Sequence, residues 1–337
     1  MIEALPRRPH VDRAEVRTAR IAAVGGYTPA RILANNDLAA LVDTSDEWIV
    51  QRTGIRERHV VEEGEHTSDL CIRAVEQLVG QRGVTLDDVD YVIVCTSTPD
   101  YVFPGVAALV QHHFGIAASG AFDLGAACAG FAYGLNVANA LIASGTSRKT
   151  LLIGGEAMSR AIDYRDRSTC VLFGDGAGAA LLEPGTQDSR IIATIAGSDG
   201  SGAPHLYRTA LRSEISGIHD DTGLLRQNGN RVYKWVVETI PRAIATLLER
   251  AELRVSDIDW FVPHSANARI IERLCEITEI SPERVLTTIE TCGNTSTASI
   301  PLALSAAAND GRIRRGDRIL TIGFGGGLVY AGAVLRW

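Results

Sequence analysis

Apolar positions along the chain fall into two alternating patterns. Short runs rich in β-branched residues, YVIVCT (91–96), TLLIGGE (150–156), IDWFVPH (258–264) and ILTIGFGG (319–326), read as strands buried on both faces. Between them lie longer Ala- and Leu-rich segments, 67–81, 129–144, 231–251 and 265–278, whose spacing predicts helices. Strands alternating with helices define an α/β architecture. The most turn-rich stretch near the middle, EPGTQDS (183–189), predicts a boundary that leaves halves 19–186 and 187–337.

The halves also resemble each other. LDDVDYVIVC (86–95) lies on VSDIDWFVPH (255–264), which puts Cys95 opposite His264. CAGFAYGLNVANALIASG (128–145) lies on NTSTASIPLALSAAANDG (294–311), which puts Cys128 opposite Asn294. Each half closes on a glycine turn and an apolar strand, GDGAGAALL (174–182) and GFGGGLVYAGAVL (323–335). The pattern predicts one βαβ-containing unit used twice about a pseudo-twofold axis, where equivalent turns can meet. Cys128, His264 and Asn294 stand at comparable strand ends or helix starts.

Composition narrows the function classes. A chain of 337 residues with 46% hydrophobic and 22% charged residues has material for a large core. A net charge of −7 argues against general nucleic-acid binding. The Arg-bearing residues 1–18 hold no apolar run of signal-peptide length and read as a disordered tail; no segment is long and apolar enough to span a membrane, so a cytoplasmic protein is expected. Cys71, Cys95, Cys128, Cys170, Cys275 and Cys292 form no CxxC pair, which favours reduced thiols over zinc or a disulfide framework.

Taken singly, the three residues are ambiguous. GAFDLG (120–125) reads as a strand entering a tight turn, so Cys128 falls at a helix N-terminus, where free N–H groups and the helix dipole favour a nucleophilic thiolate. The small residues around it suit an approaching acyl group and tight packing equally. His264 alone reads as a buried histidine and Asn294 alone as a helix cap. GDGAGAA runs into a strand, a poor dinucleotide fingerprint, and no GxxxxGK[ST] occurs.

Six stretches carry a family resemblance: DTSDEWIVQRTGIRERH (43–59), FDLGAACAGFAYGL (122–135), FGDGAGAALL (173–182), VPHSANARII (262–271), GNTSTASIPLAL (293–304) and FGGGLVYAGAVLRW (324–337). Together, colinear from about residue 19 to the C-terminus, they resemble the β-ketoacyl-acyl-carrier-protein synthase III family. The resemblance implies a thiolase-like, five-layered αβαβα fold, a homodimer, and an acyltransferase that condenses an acyl-CoA starter with malonyl-acyl-carrier protein, initiating fatty-acid synthesis. It implies Cys128 as the acyl-accepting nucleophile, with His264 and Asn294 as donors to the thioester carbonyl of the malonyl group during decarboxylation. The backbone N–H groups of Cys128 and Gly326 would hold the second oxyanion. No metal or redox cofactor is implied, since CoA and phosphopantetheine arrive with the substrates.

Further positions carry over in the same way. Trp48, Arg52 and Thr53 match residues at the adenine end of CoA, with Arg167 on the purine's other face. Gly229, Asn230, Ala266 and Asn267 match the pantetheine tunnel. Phe103 matches a residue reaching into the partner's acyl pocket, and Phe173 another acyl-pocket position. Lys234 and Arg269 match positions that dock the acidic carrier protein, with Arg273 beside them. Glu276 and Glu279 follow where some relatives are more basic; Ser265 stands where glutamine is common, and Tyr233 where phenylalanine is. Two alternatives share these residues: a starter-unit synthase or acyltransferase of a polyketide pathway, and an inactive paralogue serving as a binding subunit.

Overall fold

The computed structural model describes residues 18–337 except 83 and 118; the expected tail therefore lies outside the described residues but for Thr18. Among the described residues, nine strands build two sheets. The first takes β1 (Ala19–Tyr27), β2 (Tyr91–Cys95), β3 (Gly120–Leu124), β4 (Thr150–Glu156) and β5 (Gly176–Pro184), in the order β1-β5-β4-β2-β3. The second takes β6 (Arg190–Ser198), β7 (Trp260–Pro263), β8 (Arg318–Gly325) and β9 (Val329–Arg336), in the order β7-β8-β9-β6. In each, a parallel pair (β2 with β4, β7 with β8) continues into antiparallel neighbours. The second sheet lacks a full counterpart of β3 among the described residues: Val285 makes a single parallel bridge to Phe261 at that edge.

Seven helices place these sheets and the site: α1 (Asp46–Thr53), α2 (Thr67–Arg82), α3 (Val106–His113), α4 (Gly130–Ala143), α5 (Gly229–Arg250), α6 (Ala268–Thr278) and α7 (Ser299–Asn309). Successive strand residues face opposite sides, so one apolar strand feeds two cores. Ile93 and Leu152 point inward with Phe131, Leu135, Ile300 and Leu304 of α4 and α7, and meet Val262, Ile319 and Ala333 of the other sheet. Val92, Val94, Leu151 and Ile153 point outward onto α2 and α3. On the far side Phe261, Leu320 and Ile322 pack on α5 and α6. The result is αβαβα, with α4 and α7 as the middle layer. That layer is why the Ala- and Gly-rich helices are hydrophobic all round, whereas the outer helices are amphipathic.

Strand and helix positions match the sequence pattern closely, with one start displaced. The helix expected from 265 begins at Ala268, because the Asn267 side chain caps it by accepting the Arg269 N–H at 2.9 Å.

The second repeat alignment is corrected. A 3-10 turn precedes each central helix, Ala127–Ala129 before α4 and Ser296–Ala298 before α7. The first residue of each is a non-glycine with positive φ, 45° at Ala127 and 50° at Ser296. Structurally, Cys128 is therefore opposite Thr297, not Asn294. α4 has 14 residues and α7 has 11, so a register that aligns the closing glycines is one turn out at the catalytic end. The Cys95 and His264 pairing holds, since Cys95 ends β2 and His264 comes directly after β7, the equivalent parallel strand.

Candidate active site

Cys128 sits in the Ala127–Ala129 turn that runs into α4, 9% exposed. Gly325, at the end of β8, closes on it from the other sheet. A Cβ there would lie 2.8 Å from the Cys128 backbone nitrogen, so only glycine fits. The helix start is as expected, but the expected thiolate is not the resting form. Burial pushes the Cys128 thiol up to about 12; the Ser296 hydroxyl pulls it back and the Glu156 charge adds to the rise. Removal from water outweighs the helix dipole.

His264 follows β7 and is 1% exposed. Burial lowers its pKa to about 3, so the imidazole is neutral at physiological pH. Its Nδ1 lies 2.7 Å from the Ser299 hydroxyl at the start of α7, and that oxygen also accepts the Ser265 N–H at 3.3 Å. In the tautomer where the Ser299 hydroxyl donates to Nδ1, the Nε2–H is the ring's donor. Phe324 stands edge-on to the ring at 5.3 Å.

Asn294 is 5% exposed and held through its backbone, which exchanges hydrogen bonds with Leu172 and Gly174 (2.8 and 3.1 Å). Its Oδ1 accepts the Ser296 N–H at 2.9 Å, which orients the amide. The NH2 group has only a long contact of 3.4 Å to the Ala266 carbonyl and is available as a donor. The site thus combines a thiol with two neutral donor side chains.

Two cavities meet at Cys128, and Phe173 and Leu206 line both. The first, of about 590 Å³, also holds His264 and Asn294 and is lined by all eight expected CoA and pantetheine positions: Trp48, Arg52, Thr53, Arg167, Gly229, Asn230, Ala266 and Asn267. The N-termini of α5 and α6 open onto it, which favours anionic groups. The Thr53 hydroxyl is taken up within α1, donating to the Ile49 carbonyl at 2.7 Å and accepting the Ile55 N–H at 3.0 Å. Trp48 carries both guanidiniums, Arg167 at 4.9 Å and Arg52 at 5.5 Å from the ring centre. A purine between the indole and Arg167 requires about 7 Å, two contact distances of roughly 3.5 Å. Arg167, which also donates to the Asp43 carbonyl at 2.6 Å, packs closer to the indole than that.

The second cavity, of about 830 Å³, has an apolar wall that includes Met158, Ala161, Leu225 and Phe173. Gly326 lines it beside Cys128. Phe103 does not line either cavity of its own chain; it is 84% exposed, next to Val102 at 92% and Tyr101 at 59%. Of the expected docking cations, Arg269 and Arg273 lie at the first cavity's mouth, with Glu272 and Glu276 among them. Arg273 is paired with Glu276 at 2.7 Å, and Lys234 lies outside the lining, 3.9 Å from Glu238. Tyr233 lines the cavity, while Ser265 is buried and bonds Thr287 at 2.8 Å. Sequence reasoning missed Ser299, Ser296 and Glu156; the one available signal was an acid closing the otherwise apolar strand TLLIGGE.

An αβαβα fold built from a doubled βαβ-containing unit, with a buried thiol between a polar cavity and an apolar one, defines a thiolase-like condensing fold. Comparison with known proteins carries this further. Residues 122–200 match the family model for 3-oxoacyl-[acyl-carrier-protein (ACP)] synthase III, and residues 248–337 match its C-terminal model. A β-ketoacyl-[acyl-carrier-protein] synthase III 2 of Bacillus subtilis is 50% identical over 320 residues, 95% of this chain and 98% of its own. The crystal structure of the Thermus thermophilus synthase III superposes with a TM-score of 0.92 at 46% identity, over 94% of this chain and 99% of that one. The priming β-ketosynthase of the R1128 polyketide pathway superposes with a TM-score of 0.88 at 37% identity, over 97% and 98% of the two chains. The chain belongs to the β-ketoacyl-acyl-carrier-protein synthase III family of acyl-transferring condensing enzymes.

Proposed function

We propose that this protein starts fatty-acid chains: Cys128 takes the acyl group of an acyl-CoA, and the acyl-enzyme condenses with malonyl-acyl-carrier protein to give a β-ketoacyl-carrier protein, carbon dioxide and CoA. The observation that carries this reading is the thiol at the junction of two cavities, one suited to CoA and pantetheine, the other to an acyl chain. In the first half-reaction the sulfur attacks the thioester carbonyl, and the backbone N–H groups of Cys128 and Gly326 hold the oxyanion. In the second, the malonyl thioester carbonyl accepts hydrogen bonds from His264 Nε2–H and the Asn294 amide as carbon dioxide leaves. Each such donor contributes about 3–4 kcal/mol to an oxyanion-like transition state. A neutral imidazole suits this role, because it donates without requiring a buried positive charge. These residues suffice for the scheme without a metal or redox cofactor.

Trp48 and Arg167 would hold the purine once Arg167 has moved off the ring, and Arg269 would meet the acidic carrier. The chain would act as a homodimer, with Phe103 covered by the partner, in the reducing cytoplasm where its six free thiols persist.

The test is intact-mass analysis after exposure to acetyl-, isobutyryl- and hexanoyl-CoA, followed by malonyl-carrier protein. Acyl adducts absent from Cys128→Ala, and a β-keto product on the carrier, are expected. Acylation discharged only to a hydroxyl or amine acceptor would favour a polyketide-type acyltransferase, and no acylation at all would overturn the reading.

A further inference from the structure

We propose that Glu156, acting through the Ser296 hydroxyl, takes the proton that Cys128 gives up on acylation and returns it when condensation releases the sulfur. The inference rests on the acyl-cysteine reading above. Glu156 ends β4 and is fully buried. Its carboxylate accepts from neutral donors: the Ser97 N–H at 3.0 Å, the Thr96 hydroxyl at 3.2 Å, the Thr98 hydroxyl, and the Ser296 hydroxyl at 3.0 Å. Ser296 and Cys128 line the same cavity, and the Ser296 hydroxyl is among the groups that act on the thiol. With its proton directed at Glu156, the Ser296 oxygen can accept from S–H, giving the chain S–H···O–H···carboxylate; facing a thiolate, the same hydroxyl would donate instead, the interaction that lowers the thiol.

Two features point to use rather than packing. A buried carboxylate is costly, and a strand of this apolar composition needs none for its core. Ser296 holds a left-handed conformation, φ 50°, which costs roughly 1 kcal/mol or more and is met by the same strain at Ala127 across the site.

Charge decides the direction of transfer. A thiolate formed by losing its proton to solvent would place a second negative charge beside Glu156 in a dry site. Passing the proton along Ser296 keeps the total at one. On acylation the sulfur pair forms the new C–S bond, the C–S bond to CoA breaks, Glu156 holds the proton, and the departing CoA thiolate is protonated by water. On condensation the new C–C bond displaces the sulfur, which regains the proton from Glu156.

The titratable groups facing Glu156 are the thiols of Cys71 on α2, Cys95 on β2 and Cys128, all pushed up mainly by burial. On the paired strand, Asp175 precedes Gly176 and is bound to Ser159 and Val61; His264 across the site is neutral. Glu156 itself is raised by burial, with the hydrogen bonds from Thr98, Ser97, Ser296 and Thr96 pulling it back.

Acylation rates by quenched intact mass, with the most reactive of the three acyl-CoAs, are compared for wild type, Glu156→Gln, Glu156→Asp and Ser296→Ala. Glu156→Gln and Ser296→Ala are each expected to slow acylation about 100-fold with the KM for acyl-CoA kept, the double variant no further, and Glu156→Asp to recover part of the rate. The wild-type rate should fall on the acid side as Glu156 protonates. Glu156→Gln should lose that limb and rise about tenfold per pH unit, as a thiol ionising to solvent does. The same loss in the iodoacetamide alkylation profile of Cys128 reads the relay without any acyl-CoA, so it decides the inference even if the wild type accepts no acyl group and the functional reading fails. If Glu156→Gln does not fold, Ser296→Ala and Glu156→Asp decide. Wild-type rates in Ser296→Ala, or changes confined to KM or Tm with the acid limb intact, would overturn the proposal.

Discussion

At the scale of single residues, burial keeps the Cys128 thiol and the His264 imidazole neutral. His264 illustrates the consequence for stability. Its folded pKa, about 3, lies below the unfolded value near 6.5, so between these values the unfolded chain binds a proton that the folded one refuses. Its contribution is intact above pH 6.5 and is lost as pH falls towards 3, by about 1.4 kcal/mol per pH unit. Denaturant unfolding of wild type and His264→Gln at pH 7 and pH 5 should show the gap between them closing in acid. Ser299 makes a second case. Ser299→Ala removes the Nδ1 partner that fixes which nitrogen donates, and leaves a buried nitrogen unsatisfied at roughly 1–3 kcal/mol. Turnover at saturating malonyl-carrier protein should fall roughly 5–150-fold while Cys128 acylation, followed by mass, is unchanged.

Elements bring these residues together because the central helices start where the strands stop. The Cys128 turn and the Ser296 turn are equivalent pieces of the two halves, and Phe131 N–H on α4 donates to Thr297 Oγ1 at 2.8 Å, tying one to the other. Gly325 at the end of β8 sets how closely the second sheet approaches. Gly325→Ala would drive a Cβ into Cys128 backbone and side-chain atoms at 2.8–2.9 Å, and backbone cannot yield cheaply. A stability loss of about 1–3 kcal/mol in denaturant unfolding is expected, with acylation lost more severely than the fold. On α1, Trp48→Ala should raise the KM for acyl-CoA about 2–30-fold and leave the maximal acylation rate alone, since a group gripping a remote part of the substrate binds ground and transition states equally.

At the scale of the whole molecule, Tyr101, Val102 and Phe103 leave an exposed apolar patch beside the second cavity, an arrangement a monomer rarely keeps. Phe103→Asp should convert a dimer to monomers in sedimentation velocity. Among the described residues no helix is long and apolar enough to cross a membrane. What the sequence by itself determined was local or repeated: period and composition placed the strands and helices, and self-similarity exposed the doubled unit. The residues of the six matching stretches supplied Cys128, His264 and Asn294, which the structure gathers around one cavity. Only the tertiary structure decided the rest. The one-turn difference between α4 and α7 is invisible until strand pairing fixes both registers. Whether Cys128 rests as thiol or thiolate depends on how much water the packing of two sheets removes. The hydrogen bond from Ser296 to Glu156 joins residues 140 positions apart in sequence, a proximity that arises when the middle layer closes.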